Sequence, residues 1–185
     1  MSPKLVAKKN DWINEGILLF SKMGYEGIVV EKMAKNLGCN KSSFYWHFKT
    51  KEAFLDEIIN WWIQMATEEF IALAEKKATA KDKFIELATT IFTSRGPNDF
   101  MFFLQKLTEH NKKVASIVQQ IEDRRIRYVQ ILLTGMDYSE DTALTKSKVF
   151  YKYLTGWHML NQHKETTPQM LDEVFKEISQ FITLK

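Results

Sequence analysis

Apolar positions recur at helical spacing along nearly the whole chain. Ile13, Gly16, Ile17 and Phe20 share one face of a helix predicted over residues 8–23, with Gly24 as its stop. Val30, Met33, Ala34 and Leu37 form the i, i+3, i+4, i+7 stripe of a second helix. A tight turn at Gly38 then leads into a very short third helix, in which Phe44 and Phe48 share a side and can pack on Val30, Met33 and Leu37. A fourth opens after Thr50, a plausible N-cap, with Glu52 favourable to the helix dipole. Its inner stripe is Leu55, Ile58, Ile59 and Trp62, and the pattern predicts an uninterrupted run to Lys77. The polar stretch 76–82 precedes a helix on Phe84, Leu87, Ala88 and Ile91, which Gly96–Pro97 should break. Residues 100–104 begin a short, very apolar helix, and Val114, Val118, Ile121, Tyr128 and Leu132 mark another over 112–134, with Gly135 as its stop. Ser139 can cap the next helix, which runs to about His163 and carries Phe150, Leu154, Trp157 and Asn161. Thr167 and Pro168 suit the cap and first position of the last one. Strand-like alternation, repeats and low-complexity tracts are missing, so the predicted fold is all-α with about nine helices.

Composition changes this picture little, but charge changes it more. Of 185 residues, 45% are hydrophobic and 26% charged, which is ordinary for a globular chain. The net charge of +3 is unevenly spread: residues 1–51 carry +5 and residues 52–185 carry −2. A basic N-terminal unit on a slightly acidic body is the footprint of a nucleic-acid-binding head, placed at 1–51, on a regulatory body, placed at 52–185. The single Cys39 excludes an intrachain disulfide, and its place in the turn is read as space-filling. No signal-peptide pattern and no apolar run of membrane length occurs, so the expected location is cytoplasmic, with no membrane partner.

Residues 38–51 carry the chemistry. A short helix with two serines, an outward tyrosine and tryptophan and three lysines close by makes a poor core element and a good surface against nucleic acid. Asn40 is placed to cap it. Lys41, Ser42, Ser43, Tyr45, Trp46, His47, Lys49 and Lys51 complete the candidate DNA-binding set. Lys41, Ser42, Tyr45 and Trp46 are expected to touch base edges or phosphates, and His47, Lys49 and Lys51 to position the head on the backbone. Helix, glycine-containing turn and short helix together read as a helix-turn-helix.

The run from Lys41 to Leu55, KSSFYWHFKTKEAFL, resembles the recognition segment of tetracycline-repressor-type (TetR family) transcriptional regulators. Residues 19–25, LFSKMGY, resemble the end of that family's first helix. The resemblance covers residues 8–62. It departs where Ile28 and Val29 replace the threonines common before the second helix, removing a side-chain cap and one phosphate contact. Asn40 and Ser42 stand where a serine and a glycine are common, which can alter sequence preference. The resemblance implies a homodimeric, sequence-specific repressor on a palindromic operator, with an N-terminal three-helix head and a larger body. It also implies an inducer among the central helices of the body, and two long C-terminal helices that meet their copies in a four-helix bundle.

Two sets of body residues fit those roles. Trp61, Trp62, Met65, Phe92, Phe100, Met101, Phe103 and Trp157 are candidates for lining a pocket for an apolar or amphipathic effector. Phe150, Leu154 and Trp157, with Leu171, Val174, Phe175, Ile178, Phe181 and Ile182, are candidates for the dimer interface. The alternative is a DNA-binding regulator without a small-molecule inducer, controlled by a protein partner. Enzyme chemistry has no support: there is no phosphate loop, no His-Glu-x-x-His and no paired-cysteine spacing. His158 and His163 fall on different helix faces, and Glu109 beside His110 does not face it, so neither a metal nor another cofactor is expected.

Overall fold

A computed structural model describes residues 7–94, 100–161 and 164–184. In chain order the α-helices are α1 (Lys9–Met23), α2 (Val30–Asn36), α3 (Ser42–Phe48), α4 (Lys51–Ile63), α5 (Glu69–Ala74), α6 (Ala80–Thr93), α7 (Phe100–Leu107), α8 (Lys112–Thr134), α9 (Glu140–Leu160) and α10 (Pro168–Ile178). No strand occurs among the described residues, and the fold is all-α. The cap signals act where they were read. Thr50, Ser139 and Thr167 each accept, through the side-chain oxygen, a backbone N–H three residues on. The Gly96–Pro97 break and His163 lie outside the described residues.

The chain forms two compact units, Met1–Gln64 with Pro97–Ala115, and Met65–Gly96 with Ser116–Lys185. That is a different partition from a boundary at 51/52, because α4 and α7 pack onto α1. The first unit has an aromatic interior. Phe54 meets Phe44 at 5.0 Å and Phe48 at 4.7 Å between ring centroids, and Phe44 meets Trp12 edge-on at 5.3 Å. Phe100 of α7 lies 4.6 Å from Phe20 and stacks on Trp62 at 5.0 Å. Gly16 lets α4 approach: a Cβ there would fall 2.3 Å from Phe54 Cζ, so even alanine would overpack the site.

The second unit closes α5, α6, α9, α10 and most of α8 around Phe84, Phe92, Leu133, Phe150 and Ile178, all at most 2% exposed. The end of α8 shows how local chemistry and packing divide their work. Gly135 follows the last helical residue, as the sequence suggested, but Asp137 makes the reversal at φ 66°. The N–H groups of Asp137 and Tyr138 cap the carbonyls of Thr134 and Leu133 in the Schellman pattern. Gly135 is needed for space instead, since a Cβ would lie 2.8 Å from Ala80 Cβ.

The expected uninterrupted helix to Lys77 is corrected. Between α4 and α5 one wide π-helical turn, Gln64–Glu68, interrupts the α-helical pattern, and α5 ends at Ala74. Within the second unit, Arg125 of α8 donates to the Ala66 carbonyl at 3.1 Å and to Thr67 Oγ1 at 2.9 and 3.0 Å. These bonds reach across the sequence, so periodicity along one helix carries no sign of them.

Candidate nucleic-acid interface

The turn between α2 and α3 is set by backbone chemistry. Gly38 sits at φ +63°, the left-handed region that glycine enters without a Cβ penalty. Its N–H bonds the Lys35 carbonyl at 3.2 Å and the Cys39 N–H bonds the Ala34 carbonyl at 3.0 Å, closing α2. The other end of α2 has no side-chain cap. Val29 stands there half-exposed, while Ile28 is fully buried and serves packing instead. Asn40 Oδ1 accepts from the Ser42 N–H at 3.1 Å, ordering the start of α3 from two residues upstream.

α3 has two unlike sides. Phe44 and Phe48 are buried, at 0% and 4% exposure, and hold it to the aromatic interior. Asn40, Lys41, Ser42, Tyr45, Trp46 and Lys49 are exposed, Trp46 to 77%. Lys41 Nζ lies 3.3 Å from Glu31 Oε1. The carboxyl of Glu31 is held below its ordinary range, first by a backbone hydrogen bond at its own position on α2 and then by Lys41. An anionic backbone would compete with Glu31 for that lysine, so this exposed pair is a removable counterion.

Ser43 is the correction within this set. It is buried, its hydroxyl donates to the Ala7 carbonyl at 3.2 Å, and it accepts from Trp12 Nε1 at 3.3 Å. The side chain therefore serves the interior of the head and is not presented to a ligand. His47 is half-buried with Nε2 3.0 Å from the same Ala7 carbonyl, so in that contact its ring clasps the start of α1. Lys51 Nζ sits over the Tyr25 ring at 4.8 Å, and the Tyr25 hydroxyl points to Glu52 at 3.4 Å. Burial first, then Glu52, raises the Tyr25 pKa. Tyr25 was missed as part of this arrangement because the ring joins Lys51 only through the fold.

The candidate pocket residues are divided between the two units. Trp61, Trp62, Phe100, Met101 and Phe103 belong to the first unit, and Met65, Phe92 and Trp157 to the second. Trp62, Phe100 and Phe92 are buried and fill cores; Trp157 meets Phe92 edge-on at 5.0 Å. A separate open depression of about 370 Å³ runs along α1, lined by Ala7, Asp11, Asn14, Glu15, Leu18 and Leu37, none of them a predicted pocket residue.

The candidate dimer stripe also needs correcting. Phe150, Val174, Ile178 and Ile182 are at most 2% exposed inside the second unit's own core, and a partner cannot reach them. Leu154, Trp157, Leu171, Phe175 and Phe181 are partly buried against that core. The apolar residues α9 does expose are Val149 (42%), Met159 (64%) and Leu160 (80%).

Residues 13–58 match the bacterial regulatory proteins of the tetR family. The chain is similar to that family over this segment, about a quarter of its length. Its relatives include the HTH-type transcriptional regulator YerO of Bacillus subtilis, 30% identical over 106 residues, 56% of this chain and 36% of YerO. IcaR of Staphylococcus aureus, the HTH-type negative regulator of the biofilm operon icaADBC, is 33% identical over 51 residues, 28% of this chain and 27% of IcaR. The matched stretch therefore spans about a third of one relative's length and about a quarter of the other's. A transcriptional regulator from Saccharomonospora viridis, solved with choline, superimposes with a TM-score of 0.78 over 94% of both chains at 15% identity, a likeness of fold. No helix among the described residues is long and apolar enough to cross a membrane. No group of three or more His, Cys, Asp or Glu residues that could hold a metal ion occurs among them.

Proposed function

We propose that this protein is a TetR-family repressor that binds a near-palindromic operator as a homodimer and is released by an apolar or amphipathic effector. The observation that carries the DNA-binding part is the two-sidedness of α3. Two buried phenylalanines fix its back, while Lys41, Ser42, Tyr45, Trp46 and Lys49 are exposed on the outside of a basic head, Lys41 in its surface pair with Glu31. Repression is supported by the likeness to the negative regulator IcaR. A small effector is supported by the choline-bound neighbour and by the aromatic residues of the body that keep some accessible surface, Trp61 and Trp157 among them.

The test is binding to an operator selected from random duplexes, followed by fluorescence anisotropy over a range of salt. Lys41→Ala and Lys49→Ala should each weaken binding and reduce the slope of log K against log salt by about one unit. Trp46→Ala should lower the ratio of specific to non-specific affinity more than it changes that slope. If the wild type selects no sequence, or both lysine variants keep the wild-type salt slope, the proposed interface is wrong.

A further inference from the structure

The outward side of the head is not uniformly positive. Glu31 stands exposed in the first turn of α2, while Val30 and Met33 beside it turn into the core. Its carboxylate reaches across ten residues of sequence to Lys41, the residue that precedes α3, with Oε1 3.3 Å from Nζ. Both side chains keep more than half of their surface, 59% for Lys41 and 65% for Glu31. Lys51, the first residue of α4, adds its positive field at the same carboxylate. One acid on α2 is thus set among cations that the starts of α3 and α4 contribute.

An exposed pair of this kind adds little to folding, because water and salt screen it. Glu31 also suits the positive end of α2, where it takes a backbone hydrogen bond at its own position, and a neutral glutamine can accept the same bond. The negative charge matters more when DNA arrives. In a helix-turn-helix the second helix enters the major groove and the first crosses the backbone, and α2 is the first helix of this pair. Docking therefore brings the Glu31 carboxylate toward phosphates that compete with it for Lys41. Counterion release gives the sign of the effect. A lysine that leaves a carboxylate for a phosphate frees a cation from the DNA, but the abandoned carboxylate gathers cations again. The net gain from Lys41 is smaller than the gain from an unpaired lysine.

We propose that Glu31 is an affinity-setting residue of the α3 interface: it occupies Lys41 in the free head and yields it to a duplex phosphate only against the repulsion of its own carboxylate. The residue limits the attraction that any duplex exerts, whatever its sequence, and leaves base reading to the outward side chains of α3. Closely spaced lysines otherwise hold a head on phosphates at random sites, and a built-in competing anion shortens that attachment. The carboxyl of Glu31 is held below its ordinary range, so the restraint is present at neutral and mildly acidic pH alike. The proposal rests on the reading of α3 as the DNA-facing element and adds a residue of α2 to it.

The test is anisotropy of the full chain with the selected operator and with a shuffled duplex of equal length, between about 50 and 200 mM salt. Glu31→Gln keeps the length of the side chain and removes its charge, and circular dichroism checks the fold. It should tighten both duplexes alike, by about three- to tenfold at the low-salt end, with a steeper salt slope and a smaller gain at the high-salt end. In a Lys41→Ala background the same change should keep at most about half of that gain on a logarithmic scale, and in a Lys49→Ala background all of it. Should Glu31→Gln fold poorly, Glu31→Asp draws the charge back from Lys41 and should tighten both duplexes by a smaller factor. Unchanged affinity for both duplexes overturns the proposal. So does a loss of operator binding alone, which would make Glu31 a reader or positioner of bases. An undiminished gain in the Lys41→Ala background overturns the action through Lys41. A wild type that binds neither duplex removes the DNA-facing reading itself, whereas one that binds and ignores Glu31→Gln removes this proposal only.

Discussion

Ser43 and Lys49 show how closely interior and interface roles sit together on α3. The Ser43 hydroxyl ties Trp12 to the backbone at Ala7, a contact between α3 and the start of α1 that adjacent exposed residues do not share. Lys49 ends the helix at φ 63°, in the left-handed region where a non-glycine residue is strained, and its N–H still closes onto the Tyr45 carbonyl at 3.1 Å. Strain of this kind is tolerated where a side chain is worth keeping. Lys49→Gly should relieve it and raise stability by about 1 kcal/mol relative to Lys49→Ala, while both variants lose the same operator affinity. Urea unfolding beside anisotropy separates the two effects, and an equally stable pair of variants would remove the strain argument.

Among the elements, α9 joins stability to pH. His158 sits in its final turn, against Phe92 and the Ile91 backbone, with Arg125 the charged group acting on it. Burial is the main cause of its lowered pKa, with Arg125 adding to the effect and the hydrogen bond to Ile91 opposing it. The folded state therefore takes up a proton less readily than the unfolded chain. Stability is at its full value above the ordinary histidine value of 6.5 and is lost as pH falls from there through the lowered folded value. The wild type should lose part of its urea midpoint in this window, and His158→Gln should lose less. The window opens at 6.5, above the ordinary carboxyl value of 4.5, so at its upper end carboxylate titration adds little to the comparison. Equal pH dependence in the two proteins would show that His158 is not held neutral.

At the scale of the molecule, the assembly reading depends on which side of the last two helices is free. The second unit uses the Val174–Ile178–Ile182 side of α10 and Phe150 of α9 for its own core. Phe175 and Phe181 also pack there, so replacing them with glutamate would damage folding as well as any contact between copies. The outer side of α9 offers Val149, Met159 and Leu160 with Lys148 and Lys152, and α10 exposes Asp172, Glu173 and Glu177, an apolar patch with complementary charge nearby. Met159→Glu with Leu160→Glu should leave a folded monomer that binds the operator weakly, because two heads joined by a two-fold axis are needed for adjacent half-sites. Sedimentation with circular dichroism checks this. A wild type that is already monomeric at micromolar concentration would end the dimer reading.

The sequence alone determined what depends on neighbours along the chain. Helical periodicity, the caps at Thr50, Ser139 and Thr167, the left-handed glycine at position 38, and the inward Phe44 and Phe48 all follow from contacts within a few residues. These suffice for an all-α fold and for the exposed chemistry of α3. Tertiary structure alone decided which apolar stripes meet each other and where an identical-looking polar residue points. The inward turn of Ser43 depends on Trp12 and Ala7, the π turn is held from the distant Arg125, and the C-terminal stripe belongs to the core because α6 and α9 lie against it. An amphipathic pattern states that a face must be covered but does not name the cover, since burial free energy depends on area and not on which chain or helix supplies it.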